Sequence, residues 1–412
     1  MIAYNIIIRI YGALIWLAQP FSSKAKNWIS GRANIWQKIT DYAVENKNIV
    51  WIHCSSLGEF EQGRPLIEAL KNKSPKDDII LTFFSPSGYE IRKNYALADR
   101  IFYLPLDTRR NARRFIKQIN PSLVIFVKYD FWFNYLSELN AQNIPFVFIS
   151  AVFRKDHFLF KWWAKPFLKI LQEAREIFVQ DQISSDLLTK NNCTSIVAGD
   201  TRVDRVIQLQ KNLKKYEQLG KIRGGRRTII FGSVWSEDMA IIKNWMQNKL
   251  AHSDDFVLIA PHDVSEKMIN RIGATLNLKI IRFSQIKKVR EEPQIIIVDT
   301  IGDLAHLYAL ADLAYIGGGF GKGIHSILEP AAARLPVIFG PNHEKFKEAQ
   351  DLIDLHAAIS VRTSFDFDQA IAHFSTAINR DLAREGLEKF LNKHRGATSK
   401  IVHYLAQSKL IS

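Results

Sequence analysis

Residues 49–60 read IVWIHCSSLGEF, and this stretch decides the fold because a short apolar run leads at once through a turn into a helix. Strands that are apolar at nearly every position are typical of parallel sheets covered by helices on both faces. The same alternation of apolar strand, turn and helix continues along the chain. It predicts further strands at residues 79–84, 123–127, 145–149 and 177–180.

A polar and basic stretch then interrupts the alternation. Residues 207–226 read IQLQKNLKKYEQLGKIRGGR, which we interpret as a helix end followed by a linker. Alternation resumes beyond it, and the end of the chain has a helical pattern. The strands predicted in this second half lie at residues 228–231, 256–260, 295–298, 314–316 and 337–339.

These patterns predict an α/β fold with two doubly wound, Rossmann-like domains in tandem. Such sheets bind ligands at the carboxyl ends of their strands, so we expect two facing domains to form an interdomain cleft. The expected organisation is a membrane anchor with a basic flank at 1–40, a first domain at 41–206, a linker at 207–226, and a second domain with C-terminal helices at 227–412.

Length and composition agree with two folded domains. The chain has 412 residues, of which 47% are hydrophobic and 24% charged. The net charge of +15 favours a polyanionic partner, either nucleic acid or an anionic membrane surface, and does not choose between them. The two cysteines, Cys54 and Cys193, exclude a disulfide framework and indicate a reducing compartment.

The N-terminus carries the clearest membrane signal. Residues 2–17 read IAYNIIIRIYGALIWL, and residues 21–40 contain four basic side chains and no acidic one. The apolar run is short for a full span and contains Arg9, so we favour an amphipathic or barely spanning anchor whose basic flank lies on anionic headgroups. The alternative is a helix that packs on the protein itself.

An acidic residue follows the first strand. Gly58 permits a tight turn, and Glu59 is expected in the first turn of the next helix, at the carboxyl edge of the sheet. A carboxylate there can act as a general base toward a sugar hydroxyl. An acid that only caps the helix gives the same pattern, so the residues alone leave both interpretations open.

Two segments of the second domain are candidates for phosphate binding. Residues 299–303, DTIGD, open a helix whose free N–H groups suit a phosphate, although an ordinary N-cap explains them equally well. Residues 317–323, GGGFGKG, precede a helix predicted to start near His325. Their spacing matches neither a Walker loop nor a dinucleotide fingerprint. The loop brings backbone amides, His325 and Glu329 to one edge of the sheet.

Three further features are weaker. Asp366 and Asp368 mimic a metal-binding pair, but capping of a helix is favoured and we expect no metal. His262 follows a predicted strand at the ligand-binding edge, where a solvated loop histidine is the alternative. Residues 154–169, RKDHFLFKWWAKPFLK, mix basic and aromatic side chains. That mixture suits a lipid surface or lipid substrate, single-stranded nucleic acid, or a core helix.

Taken in order, these segments resemble the 3-deoxy-D-manno-octulosonic acid (Kdo) transferases of Gram-negative lipopolysaccharide synthesis over nearly the whole chain. The motifs that carry the resemblance are H-x-x-S-x-G-E at 53–59, F-x-S-P-S-G at 83–88, G-D-T-R-V-D at 199–204, D-T-I-G-D-L at 299–304, and G-G-G…H-S-I-L-E-P-A-A-A from 317. The resemblance implies a GT-B fold and transfer of Kdo from CMP-Kdo to a lipid A precursor (lipid IVA), without cofactor or metal, at the cytoplasmic face of the inner membrane.

The resemblance also implies roles for single residues. Glu59 matches the catalytic base, Asp130 an acidic position that helps the transition state, and Arg202 a basic position. On this basis we hypothesise that Glu59 activates an acceptor hydroxyl and that CMP leaves with inversion. The residues that match the CMP-binding segments are Pro261, His262, Ile301, Gly302, Asp303, Ser326, Ile327, Leu328 and Glu329.

Four of these positions depart from the family pattern. Asp130 stands where most members have Glu, Arg202 where they have Lys, His262 where they have Arg, and Ser326 where they have Asn. Charge type is mostly kept, so we expect activity to survive, but His262 is not a permanent cation. Two alternatives remain: a GT-B enzyme that uses a UDP-sugar for another envelope glycolipid, and a non-catalytic nucleic-acid-binding protein suggested by the charge.

Overall fold

The structure, a computed structural model, describes residues 2–42, 48–276, 281–288 and 293–411. It contains two seven-stranded sheets in which every strand pair is parallel. The chain divides into two compact units: a first unit that runs up to Asp204 and resumes at His394, and a second unit at Arg205–Lys393.

The first unit contains a sheet of strand order β3-β2-β1-β4-β5-β6-β7. Its elements are α1 (Ile2–Ala18), α2 (Ser23–Arg32), α3 (Ile35–Thr40), β1 (Ile49–Cys54), α4 (Leu57–Lys73), β2 (Asp78–Phe83), α5 (Pro86–Arg92), β3 (Arg100–Tyr103), α6 (Arg109–Ile119), β4 (Leu123–Val127), α7 (Phe133–Ala141), β5 (Phe146–Ala151), α8 (Lys165–Gln172), β6 (Glu176–Val179), α9 (Gln182–Thr189), β7 (Ile196–Val197) and the start of α10 (Thr201–Lys211). The first unit also contains α19 (Ala397–Gln407).

The second unit contains a sheet of strand order β10-β11-β9-β8-β12-β13-β14. Its elements after α10 are α11 (Glu217–Arg223), β8 (Thr228–Val234), α12 (Ser236–Asn248), β9 (Phe256–Pro261), α13 (Glu266–Leu276), β10 (Ile281–Arg282), β11 (Ile295–Ile297), α14 (Leu304–Leu307), β12 (Leu313–Ile316), α15 (Leu328–Ala332), β13 (Val337–Phe339), α16 (Lys347–Asp354), β14 (Ala358–Ser360), α17 (Ser364–His373) and α18 (Ala377–His394).

The central strands are buried from end to end, as their apolar sequence predicts. All six residues of β1 are buried, and the ring of Trp51 lies 4.9 Å from Phe115 and 5.7 Å from Phe126. The predicted α/β fold class with two doubly wound sheets is confirmed. Doubly wound sheets bind ligands at the loops that follow the carboxyl ends of their strands. Functional side chains are therefore expected on those loops.

The C-terminal helix differs from its predicted place, because α19 packs in the first unit and not with residues 227–393. Asp204 caps it by accepting hydrogen bonds from the N–H groups of Gly396 (2.6 Å) and Thr398 (2.7 Å). Gly199 has φ +104°, and a Cβ there would lie 2.8 Å from the carbonyl oxygen of His394. The predicted linker at 207–226 is also largely helical, since α10 continues to Lys211 and α11 follows.

Helix α1 docks on the first unit along one face. Ile8 is buried, and Gly12 approaches so closely that an added Cβ would lie 2.8 Å from Leu106 Cδ2. Among the described residues, no helix taken singly has the length and hydropathy of a membrane span, whereas α1 and α2 meet that test together across a bend of 117°. The outward face of α1 exposes apolar side chains at Ile2, Ile6, Ile10, Leu14 and Leu17.

Candidate active site

Two carboxylates follow the carboxyl ends of the paired strands β1 and β4, and two consecutive serines hold them. The Ser56 hydroxyl donates to Glu59 Oε2 at 2.8 Å. Ser55 donates twice to Asp130, from its hydroxyl to Oδ1 at 2.6 Å and from its backbone N–H to Oδ2 at 3.1 Å. Glu59 lies half-buried in the first turn of α4, and Asp130 is buried. The structure therefore brings the first two predicted catalytic residues to one edge of the sheet.

The environment of Asp130 favours its protonated form. Burial, followed by the negative charge of Glu59, raises the pKa of Asp130 well above its ordinary value, against the opposing effect of the Ser55 hydrogen bonds. Two carboxylates that share a site cannot both ionise without cost, so one of them retains its proton to higher pH.

A buried histidine stands behind the pair. Trp132 Nε1 donates to His53 Nε2 at 3.0 Å, and His53 Nδ1 lies 2.8 Å from the hydroxyl oxygen of Thr82. Because Nε2 accepts from Trp132, the proton is assigned to Nδ1, which donates to Thr82. Complete burial lowers the pKa of His53 to about 3, so the ring is neutral. Its Nε2 lies 3.5 Å from Asp130 Oδ2.

Arg202 lies in the first turn of α10, apart from the two carboxylates in sequence but in the same unit. Asp200 binds its guanidinium through both carboxylate oxygens, with Nη2 to Oδ2 at 2.6 Å and Nε to Oδ1 at 3.2 Å. Thr201 anchors the same turn by donating to the carbonyl oxygen of Gln62 on α4 at 2.6 Å. Within the G-D-T-R-V-D motif, Asp200 and Thr201 therefore fix the orientation of Arg202.

In the second unit, a buried carboxylate organises the glycine-rich loop. Asp238 Oδ2 accepts from the N–H groups of Gly318 (2.9 Å) and Trp235 (2.8 Å), and Oδ1 accepts from the Tyr315 hydroxyl at 2.8 Å. Burial raises the pKa of Asp238. A side chain at Gly317 would collide with the Ser233 carbonyl at 2.3 Å. The loops after β8 and β12 are thus locked together at the carboxyl edge of this sheet.

An aromatic stack covers the same edge. The ring of His262 lies 4.1 Å from Trp235, nearly parallel to it, and 4.5 Å from His325. Trp235 Nε1 donates to His325 Nε2 at 2.8 Å, and burial, followed by the charge of His262, lowers the pKa of His325. His262 is exposed at the end of β9, whereas Pro261 before it is buried. The stack presents a flat aromatic surface and a titratable group.

The segment at 299–303 is an exposed loop pinned at its end. Ile301 is 87% exposed, and Gly302 has φ +87°. Asp303 accepts from Lys214 Nζ and the Tyr216 hydroxyl, both at 2.7 Å, and from Thr300 at 2.7 Å. Although partial burial opposes ionisation, these donors lower the pKa of Asp303 to about 2. Its carboxylate is already engaged by the protein, so Ile301 and Gly302 form the accessible part.

The predicted helix near His325 begins later, with α15 at Leu328, because residues 323–327 are irregular. Ile327 and Leu328 are buried, so their side chains pack in the core and are not available to a ligand. Ser326 is exposed and Glu329 half-buried. Of these four predicted CMP-binding residues, two therefore offer side chains.

The remaining candidates behave as structural groups. Asp366 forms a capping box with Thr363, accepting its N–H at 3.0 Å and donating its own N–H to the Thr363 hydroxyl at 3.1 Å. The favoured capping interpretation is confirmed. Cys54 and Cys193 are buried and free. Within the described ranges, no three His, Cys, Asp or Glu side chains are grouped as a metal site would require.

Sequence patterns did not identify four residues that shape the two sites: Ser55, Trp132, Trp235 and Asp238. Each acts through a partner on another strand or loop, which local patterns do not encode. Two sequence signals were usable: the serine pair before α4, and the position of Asp238 in the first turn of α12, where its carboxylate accepts from the N–H group of Trp235.

Solved structures of similar shape identify the fold of this chain. UDP-GlcNAc 2-epimerase from Neisseria meningitidis, bound to UDP-GlcNAc, superposes with a TM-score of 0.62 at 13% identity, over 88% of this chain and 100% of that chain. A glycosyltransferase from Rickettsia africae gives 0.55 at 14% identity, over 88% and 99%. The chain thus has the GT-B fold.

Sequence comparison then narrows the class. Residues 31–205 match the family described as 3-deoxy-D-manno-octulosonic-acid transferase. The Kdo transferase of Haemophilus influenzae is 28% identical, covering 86% of each chain, and that of Rickettsia typhi is 26% identical, covering 92% of this chain and 83% of its own. Residues 31–205 thus form a Kdo transferase domain by this match, and relatives named Kdo transferases align with most of the chain. The chain is a glycosyltransferase, and the non-catalytic alternative is wrong.

Proposed function

We propose that the protein transfers Kdo from CMP-Kdo to a lipid A precursor, lipid IVA, with inversion at the anomeric carbon. The family supports Kdo as the sugar, since relatives that match most of the chain are named Kdo transferases. The observation that carries the proposal is the carboxylate pair of Glu59 and Asp130, each held by its own serine at the ligand-binding edge of the first sheet.

The pair provides the chemistry of a general base. Glu59 accepts the proton of an acceptor sugar hydroxyl, whose oxygen forms a bond to the anomeric carbon of Kdo. The bond from that carbon to the phosphate oxygen breaks, and CMP leaves with the electron pair. Burial and the charge of Glu59 favour the protonated form of Asp130, which leaves Glu59 as the base of the pair.

Donor binding is proposed for the second unit. His262 and the exposed Ile301–Gly302 tip lie after the carboxyl ends of β9 and β11, where parallel sheets bind nucleotides. Pro261, Asp303, Ile327 and Leu328 shape this edge through backbone or internal contacts. Ser326 and Glu329 offer polar side chains to the donor.

Arg202 belongs to the first unit, and Asp200 orients its guanidinium. Arg202 is proposed to stabilise charge on the leaving phosphate.

We further propose that the protein works at the cytoplasmic face of the inner membrane. The outward face of α1 is apolar, and Trp162 is 81% exposed in the aromatic segment at 154–169. Exposed apolar faces of this size, next to basic side chains, are typical of surfaces that lie in a membrane interface. Flotation with vesicles containing anionic lipid measures this binding, and unchanged flotation after Leu14→Glu with Leu17→Glu would contradict it.

The test of the proposed function is a transfer assay with purified protein. Incubation with CMP-Kdo and lipid IVA is expected to increase the acceptor mass by one or more Kdo residues, and CMP is expected to inhibit. The alternative donor is examined in the same assay. Product from a UDP-sugar, with inhibition by UDP and not by CMP, would overturn the proposed donor.

A further inference from the structure

An apolar groove in the first unit opens beside Asp130. Its volume is about 590 Å³, within the usual range of small-molecule sites. Helix α1 forms one wall, which includes Tyr4. The aromatic segment and the start of α8 form the opposite wall, which includes Phe158, Trp163 and Phe167. We name this feature the acyl groove, and its position links the docked N-terminal helix directly to the candidate catalytic residues.

Ring contacts hold the walls of the acyl groove in place. Phe167 meets Tyr4 edge-on at 5.5 Å and Phe133 at 5.2 Å, and Phe158 stacks on Trp163 at 6.0 Å. Aromatic pairs at these separations are favourable beyond their buried area. The groove is therefore formed before any ligand arrives, and a ligand need not open it.

The lining of the acyl groove suits a hydrocarbon. The polar side-chain groups of its lining are two tyrosine hydroxyls, two indole N–H groups and the Asp130 carboxylate, and the indole N–H of Trp132 already donates to His53. The Tyr4 hydroxyl donates to Asp107 at 2.5 Å, outside the groove lining, and Asp130 is held by Ser55. Burying a sugar hydroxyl among such walls would leave it without partners, which costs free energy, whereas burying CH₂ groups is favourable.

A basic pocket lies along the same helix. It has a volume of about 490 Å³. Helix α1 contributes Ile2, Asn5, Ile6 and Arg9, and the start of α6 contributes Thr108, Arg109 and Arg110. Its described lining contains no carboxylate, so its charge complements a phosphate. An apolar groove and an arginine-lined pocket on one helix together match an amphipathic ligand with acyl and phosphate groups.

We propose that the acyl groove binds one acyl chain of the glycolipid acceptor, so that the attached sugar lies at Glu59 and Asp130. This inference rests on the proposed function only in taking the acceptor to be a glycolipid. The bilayer itself is a different occupant. The outward residues Ile10 and Leu17 lie outside the groove lining, so the two occupants can be separated by mutation.

The first test measures binding without any transfer. Ala3 and Ile7 are exposed and line the groove, so Ala3→Phe with Ile7→Phe fills it, while Ile10→Phe with Leu17→Phe is the matched control on the same helix. The probe is a short-chain phosphatidic acid with a brominated acyl chain, used below micelle formation, which quenches the tryptophan fluorescence of Trp132 and Trp163. Circular dichroism confirms that both variants fold.

We expect the filled variant to bind the probe at least ~10-fold more weakly than wild type, with the control unchanged. Equal quenching in all three proteins would overturn the proposal, as would quenching that appears only with bilayer vesicles. This readout does not depend on CMP-Kdo. Failure of the proposed donor or reaction therefore leaves it intact.

The second test uses transfer. For acceptors that differ only in the length of one acyl chain, KM is expected to fall by up to ~4-fold per added CH₂ in wild type and control. In the filled variant this dependence is expected to vanish, while turnover of a deacylated acceptor is unchanged. If KM depended on acyl-chain length equally in the filled variant and in wild type, the proposal that the groove binds an acyl chain would be overturned. Absence of transfer in wild type to any acceptor would instead reject the proposed function.

Discussion

Ser55 and Ser56 differ in what they hold, although they are neighbours in the chain. Ser56 reaches forward to Glu59 in the first turn of its own helix, a local contact that capping patterns predict. Ser55 reaches across to Asp130 on the loop after the next strand of the sheet. The second contact explains how a buried carboxylate stays in place beside another.

Replacing Ser55 by Ala is expected to impair transfer and to destabilise the fold. Asp130 loses its 2.6 Å hydrogen bond, and the loss of a bond to a buried acid costs ~1–3 kcal/mol. The pKa of Asp130 should rise further, because that bond lowers it. Urea denaturation and steady-state turnover measure both effects. Ser87→Ala, an exposed serine at the start of α5, is the control, and equal behaviour of the two variants would contradict the role of Ser55.

Asp238 is expected to control donor binding from within the core of the second unit. Asp238→Asn places an NH₂ group either against the two N–H groups of Gly318 and Trp235 or against the Tyr315 hydroxyl, so at least one donor loses its acceptor. We expect a loss of ~3 kcal/mol in stability and at least ~10-fold weaker CMP binding by calorimetry. The control is Glu237→Gln, the exposed neighbour. CMP affinity equal to wild type in the Asp238 variant would show that the loop does not bind the donor.

Glu59 could be proposed from sequence because its helix position follows from the residues beside it. Asp238 could not, because its role depends on Gly318, which is distant in sequence and reaches it only when β12 pairs with β8. Ile327 and Leu328 show a different limit of sequence patterns. Their motif match was clear, yet their side chains point into the core.

Among the elements, Asp107 joins α1 to α7, the helix that follows Asp130 in the chain. Its carboxylate accepts from the N–H groups of Asn134 and Tyr135, both at 3.1 Å, and from the Tyr4 hydroxyl at 2.5 Å. It therefore caps α7 just after Asp130 and Trp132 and fastens α1 to the same point. The N-terminal helix is a structural part of the first unit, whatever surface its other face contacts.

Asp107 should make the stability of the fold depend on pH. Burial raises its pKa from 3.8 to about 6 in the folded state. The folded chain thus retains a proton that the unfolded chain has released, so this group stabilises the fold most below about pH 4 and the contribution is lost as pH rises through about 6. The loss amounts to ~3 kcal/mol.

Comparison of wild type with Asp107→Asn in urea at several pH values measures this contribution. The variant is expected to lack the decline of wild-type stability between about pH 4 and 6, since amides do not titrate. Asp381→Asn, at an exposed ion pair on α18, serves as control. Parallel stability curves for wild type and the Asp107 variant would contradict the buried titration.

Long apolar strands were predictable as elements, and short edge strands were not. Strands such as β4 are buried at every residue, and their uninterrupted apolar sequence predicts a strand. By contrast, β7 and β10 have two residues each and exist only because a neighbouring strand offers a partner. Helix α19 was recognised as a helix, but its packing depends on Asp204, which is distant in sequence.

At the scale of the whole molecule, the doubly wound fold could be predicted because two series of apolar strands are separated by helices. The division into units could not be predicted fully, because the chain returns to the first unit at His394. The net charge of +15 indicated an anionic partner without naming it. The arginine-lined pocket beside α1 gives that charge a location that suits lipid phosphate.

The role of Glu59 is tested by the transfer rate of Glu59→Gln with CMP-Kdo and lipid IVA, measured together with its affinity for CMP. We predict that kcat falls by at least ~10²-fold, the lower range for loss of a general base, while CMP affinity stays within ~2-fold. Glu68→Gln, on the same helix and paired with Arg64, should match wild type. Turnover of the Glu59 variant at the wild-type rate would contradict the catalytic role of this carboxylate.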